Sequence, residues 1–201
     1  MLSLMKNRKS GKRKYKAVVM GSSAGGLAVL ARILSVFPQN FRLPLIVVQH
    51  LHPRQGEFYI QYLNDRTALT VKEADEKEDI VGGYVYFAPP NYHLLIEEDE
   101  TFSLSSDEKV NYSRPSIDVL FESAAEVYGN RLAGVILTGA NNDGASGLNL
   151  IKKNGGLAVV QEPCSAESPY MPRAALELVE ADYILSPEEI GTVLVNLGDE
   201  N

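Results

Sequence analysis

The 201 residues are 45% hydrophobic and carry a formal net charge of −7, enough for one well-buried core and too few for two comfortable domains. No apolar run reaches the length that spans a bilayer, and no apolar stretch follows the N-terminal charges as in a secretory signal, so neither membrane insertion nor export is expected. A single cysteine, Cys164, excludes an internal disulfide and fits a reducing cytoplasm, while three histidines without ligand spacing argue against a structural zinc site.

Lys6, Arg8, Lys9, Lys12, Arg13, Lys14 and Lys16 give the first 16 residues +7 with no acid, leaving −14 on the rest. Such an arm can meet nucleic acid or an anionic surface, but a solvated terminus over 1–16 is the simpler reading. The acidic body shows no basic face with interleaved aromatics, so no nucleic-acid partner is expected.

From residue 17 to 201 strand and helix signals alternate, the pattern of an α/β domain. A strand at 17–20 feeds a helix over about 24–36, with Leu27, Leu30, Ala31 and Leu34 on one face. A strand at 45–49 precedes a helix around 57–63, a short strand at 70–74 and a charged loop at 75–79. Segments 84–88, 93–96 and 101–104 read as short antiparallel strands around the Pro89-Pro90-Asn91 turn. A helix from Arg114-Pro115 to about Tyr128 has Pro115 near its first position and Ser113 available as a cap. Strand 134–138, a helix to Lys153 closed by Asn154-Gly155-Gly156, strand 157–161 and a helix from Met171-Pro172 to about Val179 complete the pass. The fold class is thus α/β: a doubly wound, mostly parallel sheet flanked by helices, with a small antiparallel hairpin region.

Three of the buried-strand signals end on chemically reactive residues. The first runs into Gly21-Ser22-Ser23-Ala24-Gly25-Gly26, the second into Gln49-His50, the third into Thr138-Gly139-Ala140-Asn141-Asn142-Asp143-Gly144. Carboxyl ends of parallel strands face the crevice where ligands bind, so Ser23, His50 and Asp143 are placed to converge as nucleophile, base and orienting carboxylate. Gly21-Ser22-Ser23-Ala24-Gly25 fits the five-residue nucleophile-elbow pattern. The same glycines suit a phosphate loop, but their spacing matches neither the dinucleotide fingerprint nor Walker A. His52 and His93 rival His50 as the base, and Asp143 also suits plain turn chemistry.

Six motifs follow in order: Gly21-Ser22-Ser23-Ala24-Gly25-Gly26; Val48-Gln49-His50; Phe87-Ala88-Pro89-Pro90; Arg114 through Phe121; Thr138 through Gly144; and Met171-Pro172-Arg173-Ala174. Their series, over roughly 16–190, resembles the catalytic domain of the chemotaxis protein-glutamate methylesterase (CheB) family. The resemblance implies a cytoplasmic, bacterial serine esterase that demethylates glutamyl methyl esters on methyl-accepting chemotaxis receptors, releases methanol and also deamidates receptor glutamine. By this resemblance the triad is Ser23, His50 and Asp143, with backbone N–H groups near Ala24 and Ala140 as oxyanion donors. No cofactor or metal is implied.

The sequence departs from the family's pattern at Ala24, where the family commonly has Thr, and at Ala140-Asn141, where it commonly has Met-Gly. The family usually carries an N-terminal receiver domain, whereas only the basic arm precedes the first strand here; a receiver protein in trans is then a candidate partner. The competing expectations are a non-catalytic adaptor that keeps the fold, an esterase on another substrate, and a nucleotide-binding domain. The last lacks the acidic ribose contact, since His50 ends the second strand.

Overall fold

The computed structural model describes residues 15–50 and 56–199; most of the basic arm and His52 lie outside them. The elements in chain order are β1 (Ala17–Ser22), α1 (Gly26–Leu34), β2 (Leu45–Gln49), α2 (Gly56–Asn64), β3 (Thr70–Glu73), β4 (Tyr84–Phe87), β5 (His93–Ile96), β6 (Phe102–Ser105), α3 (Ile117–Tyr128), β7 (Leu132–Ile136), α4 (Ala145–Lys153), β8 (Leu157–Gln161), α5 (Tyr170–Leu178), β9 (Tyr183–Leu185) and α6 (Pro187–Asp199).

Seven strands form one parallel sheet in the order β3-β4-β2-β1-β7-β8-β9, and β5 and β6 form a separate antiparallel pair. Successive residues of the central strands feed two different cores. Val18, Met20, Leu45, Val47, Ala133 and Val135 pack with α1 and α6 on one face. Ala17, Val19, Ile46, Val48, Leu132 and Ile136 pack with α3, α4 and α5 on the other. Burial on both faces is why these strands read as unbroken apolar runs rather than alternating ones.

The chain winds outward from β1 to β2 on one side, then returns to place β7 on the other. Loops leaving β1 and β7 therefore diverge, which opens the crevice at the carboxyl edge. Ser22 is in register with Gln49, and His50 N–H bonds the Ser22 carbonyl at 3.0 Å, so Ser23 and His50 leave neighbouring strands side by side. On the other flank Ser23 N–H bonds the Thr138 carbonyl at 2.9 Å.

Three expectations need correction, and two elements are additional. Tyr84–Phe87 is not antiparallel; it enters the main sheet parallel to both β2 and β3, because Val85 and Phe87 are buried against the core of the first face. The third reactive strand is Leu132–Ile136, starting and ending two residues before the expected 134–138. Ser113 does not cap α3, which begins at Ile117 with Ser116 at the N-cap. Finally, β9 and α6 carry no counterpart in the sequence reading. The start of α6 was nonetheless encoded: Ser186 N–H and Oγ both bond Glu189 Oε2, at 3.0 and 2.7 Å, the capping-box spacing.

Candidate active site

The site is assembled around a carboxylate. Asp143 is fully buried, and five donors converge on it. His50 Nε2 lies 2.9 Å from Oδ2, Ile117 N–H donates to Oδ2 at 2.7 Å, and Asp118 N–H, Ser116 Oγ and Asn111 Nδ2 reach Oδ1 at 3.1, 2.8 and 3.0 Å. Two of these are free N–H groups at the start of α3, whose own N-cap side chain makes no capping bond. The carboxylate thus supplies the helix's missing acceptor and sits at its positive end. Burial pushes the Asp143 pKa up, but the bonds from His50, Asn111, Ile117 and Ser116 outweigh it and hold the group below its ordinary range.

An ionised Asp143 accepts only, so His50 carries its proton on Nε2 and leaves Nδ1 as a lone pair. Asn141 Nδ2 donates to that Nδ1 at 3.3 Å, while Asn141 Oδ1 accepts the Asp143 N–H at 3.2 Å and so fixes which way the amide faces. His50 is mostly buried, with 13% of its side chain exposed.

Ser23 is half-buried in the turn between β1 and α1, and its hydroxyl makes no hydrogen bond to a described residue. Its backbone is fixed tightly. Gln49 Nε2 donates to the Ser23 carbonyl at 2.7 Å and the His50 carbonyl at 3.1 Å, tying the two strand ends together. Ser22 Oγ donates to Gln49 Oε1 at 2.6 Å and sets the orientation of that amide. Gly25 takes the left-handed conformation, with φ of 79°, that the sharp entry into α1 requires. Thr138 Oγ1 donates to the Ala24 carbonyl at 2.8 Å.

Ala24 and Ala140 are both exposed, and their backbone N–H groups have no hydrogen-bond partner among the described residues. Gly139 precedes Ala140, and a Cβ there would stand 3.0 Å from Ser23 Cβ and 2.5 Å from Met171 Cε. Met171 is itself pinned by its N–H to the Gly139 carbonyl at 2.9 Å.

His93 is not brought to the site's open side. It is buried, accepts the Ser116 N–H on Nδ1 at 3.2 Å and donates from Nε2 to the Glu108 carbonyl at 3.0 Å, so both nitrogens are used in holding the start of α3. Ser116, Asn111, Gln49, Asn141 and Thr138 are the supporting residues that sequence reasoning did not assign. All but Asn111 stand within the quoted motifs. No group of three or more His, Cys, Asp or Glu side chains suited to a metal occurs among the described residues, and no described helix is long and apolar enough to cross a membrane.

The CheB methylesterase family matches residues 18–194. The chain belongs to the CheB methylesterase family. A relative from Leptospira interrogans, a putative protein-glutamate methylesterase/protein-glutamine glutaminase, is 54% identical over 187 residues, covering 93% of this chain and 97% of its own. A protein-glutamate methylesterase/protein-glutamine glutaminase from Thermotoga maritima is 36% identical over 90% of this chain, which spans only 54% of that relative. The crystal structure of the Thermotoga maritima CheB methylesterase catalytic domain superposes with a TM-score of 0.88 at 35% identity, covering 91% of this chain and 98% of that one. The doubly wound sheet is therefore the fold of a CheB catalytic domain.

Proposed function

We propose that the chain is a protein-glutamate methylesterase in which Ser23 is the nucleophile, His50 the base and Asp143 the orienting carboxylate. The observation that carries this reading is the His50 Nε2–Asp143 Oδ2 contact of 2.9 Å on a buried, five-fold bonded carboxylate, beside the strand end that presents Ser23. The substrate is a glutamyl γ-methyl ester of a methyl-accepting chemotaxis receptor in the cytoplasm. The catalytic unit is 17–201, with the basic arm 1–16 outside it and a receiver protein in trans as candidate regulator.

With Nε2 held by Asp143, the nitrogen that takes the Ser23 proton is Nδ1, the reverse of the serine-protease assignment. Ser23 Oγ attacks the γ-carbonyl carbon, and the oxyanion forms where the N–H groups of Ala24 and Ala140 are unpaired. Collapse breaks the ester C–O bond, and His50 returns its proton to the departing methoxide, giving methanol. Water, deprotonated in turn by His50, attacks the acyl-enzyme and releases glutamate and free Ser23. A side-chain amide enters by the same steps with ammonia leaving, which makes glutamine deamidation the second activity of this reading.

The test is methanol release from methylated receptor membranes. The unaltered chain releases methanol, and Ser23→Ala lowers the rate by several orders of magnitude. Equal rates from the two would defeat the assignment.

A further inference from the structure

His50 opens into a cleft of about 360 Å³ whose lining includes Lys109, Tyr112 and Arg114. No carboxylate is among the described residues that line it, although the chain as a whole is acidic. Asp107 and Glu108 belong to the same loop but not to the cleft wall. Arg114 is held by donation from Nη1 to the Ser106 and Asp107 carbonyls, and its buried Nε has no partner.

The loop that carries these residues is locked to the candidate site. Val110 and Ser113 exchange backbone hydrogen bonds at 3.2 and 2.9 Å, and between them Asn111 and Tyr112 are both left-handed, with φ of 49° and 62°. This is the backbone of a tight hairpin turn that normally places glycine at its second central position. Here Asn111 turns inward, bonding Asp143 and Asp118, and Tyr112 turns outward, 97% exposed. A tyrosine in the left-handed region is disfavoured for folding, so its placement on the rim is not explained by packing. An exposed aromatic on a rigid turn, beside two cations, suits recognition of a polypeptide.

We infer that Lys109, Tyr112 and Arg114 form the docking surface for an acidic polypeptide segment that carries the glutamyl ester into the cleft at His50. This rests on the methylesterase reading for what the segment delivers, but not for its binding. Lys109 and Arg114 meet carboxylates flanking the ester, and Tyr112 covers the segment's apolar side. Selection of an acidic context is then a property of the cleft wall, separate from the bond-breaking residues.

Two synthetic peptides test this, each with one glutamate γ-methyl ester, one flanked by glutamates and one by lysines. Methanol release is measured with the unaltered chain, and affinity for each peptide with Ser23→Ala. The expected result is a preference of about tenfold for the acidic peptide in both readouts, reversed toward the lysine peptide by Lys109→Glu. Tyr112→Gly relieves the left-handed residue, so the turn persists, and it weakens binding of both peptides about tenfold. Equal affinity for the two peptides, or a preference that survives Lys109→Glu unchanged, overturns the inference. Charge-selective binding without Ser23-dependent methanol release would uphold the docking surface and sink the esterase reading instead.

Discussion

Asp143 and Asp118 cap each other's helices. Asp143, just ahead of α4, accepts the N–H groups of Ile117 and Asp118 at the start of α3, and Asp118 Oδ1 accepts the Gly147 N–H in the first turn of α4 at 2.7 Å. Asn111 Nδ2 bridges the two carboxylates at 3.0 and 2.8 Å. The carboxylate that orients His50 is therefore part of the joint between two helices, and its chemistry and its structural role are inseparable.

Asp143→Asn is expected to cost both. The new amide presents a donor to a site already filled by donors, which destabilises the fold by about 1–3 kcal/mol on the scale of buried polar groups left unsatisfied. Loss of the acceptor for His50 lowers kcat about 10⁴-fold. Denaturant unfolding and steady-state hydrolysis measured together check this; full stability with low activity would show that the helix joint does not depend on the carboxylate.

The two acids respond to pH with opposite sign. Asp143 is held below its ordinary range, so its stabilisation is complete above the unfolded value of about 3.9 and disappears as pH falls through its lower folded pKa. Asp118 is raised by burial and by the nearby Asp143 charge, so its ionised form costs stability, and that cost vanishes on acidification. Replacing Asp118 with Asn should therefore flatten the loss of stability as pH rises through its raised pKa. Unfolding free energy measured from about pH 3 to pH 7 decides it; parallel curves for the two proteins would contradict the assignment.

Asn141 Nδ2 occupies His50 Nδ1, the nitrogen proposed to take the Ser23 proton. Asn141→Gly removes that bond, worth about 0.5–1.5 kcal/mol in the resting state, together with the Asn141 Oδ1 acceptor of the Asp143 N–H, and is predicted to raise kcat roughly three- to tenfold. Burst and steady-state kinetics on a methyl ester would reveal it. A fall in kcat would instead make Asn141 a support that His50 needs.

Gly139→Ala is expected to push on Ser23. The Met171 side chain can yield to the new methyl group, but Ser23 Cβ, 3.0 Å away, belongs to a turn fixed at both carbonyl and N–H. A displacement of a few tenths of an ångström lowers kcat several-fold, up to about tenfold, with little change in melting temperature. Unaltered kinetics would show that the crevice is looser than these contacts imply.

Much of this was legible in the sequence because buried parallel strands announce themselves. The runs ending at Ser23 and His50, and the loop ending at Asp143, stand out in the sequence itself. What was not legible depends on long-range contact. Tyr84–Phe87 has the composition of any short strand, and only Leu45, Ile46 and Val47 alongside it fix its direction. The three-residue β9, with Tyr183 and Ile184 substantially exposed at the sheet's edge, carries too little periodicity to read. Asn111 sits in a polar loop with no local signal, yet it reaches Asp143 across 32 positions of sequence. The cap of α3 carries no local signal for the same reason: its acceptor comes from another loop.

The account stands on Ser23 as a nucleophile activated by His50, and covalent labelling tests that most directly. The intact chain is incubated with a small fluorophosphonate, digested, and the modified residue is located by mass spectrometry. The account predicts a single adduct on Ser23, formed at a rate that collapses in His50→Ala. An adduct on Ser22 or another serine, or labelling of Ser23 that is indifferent to His50, would contradict it.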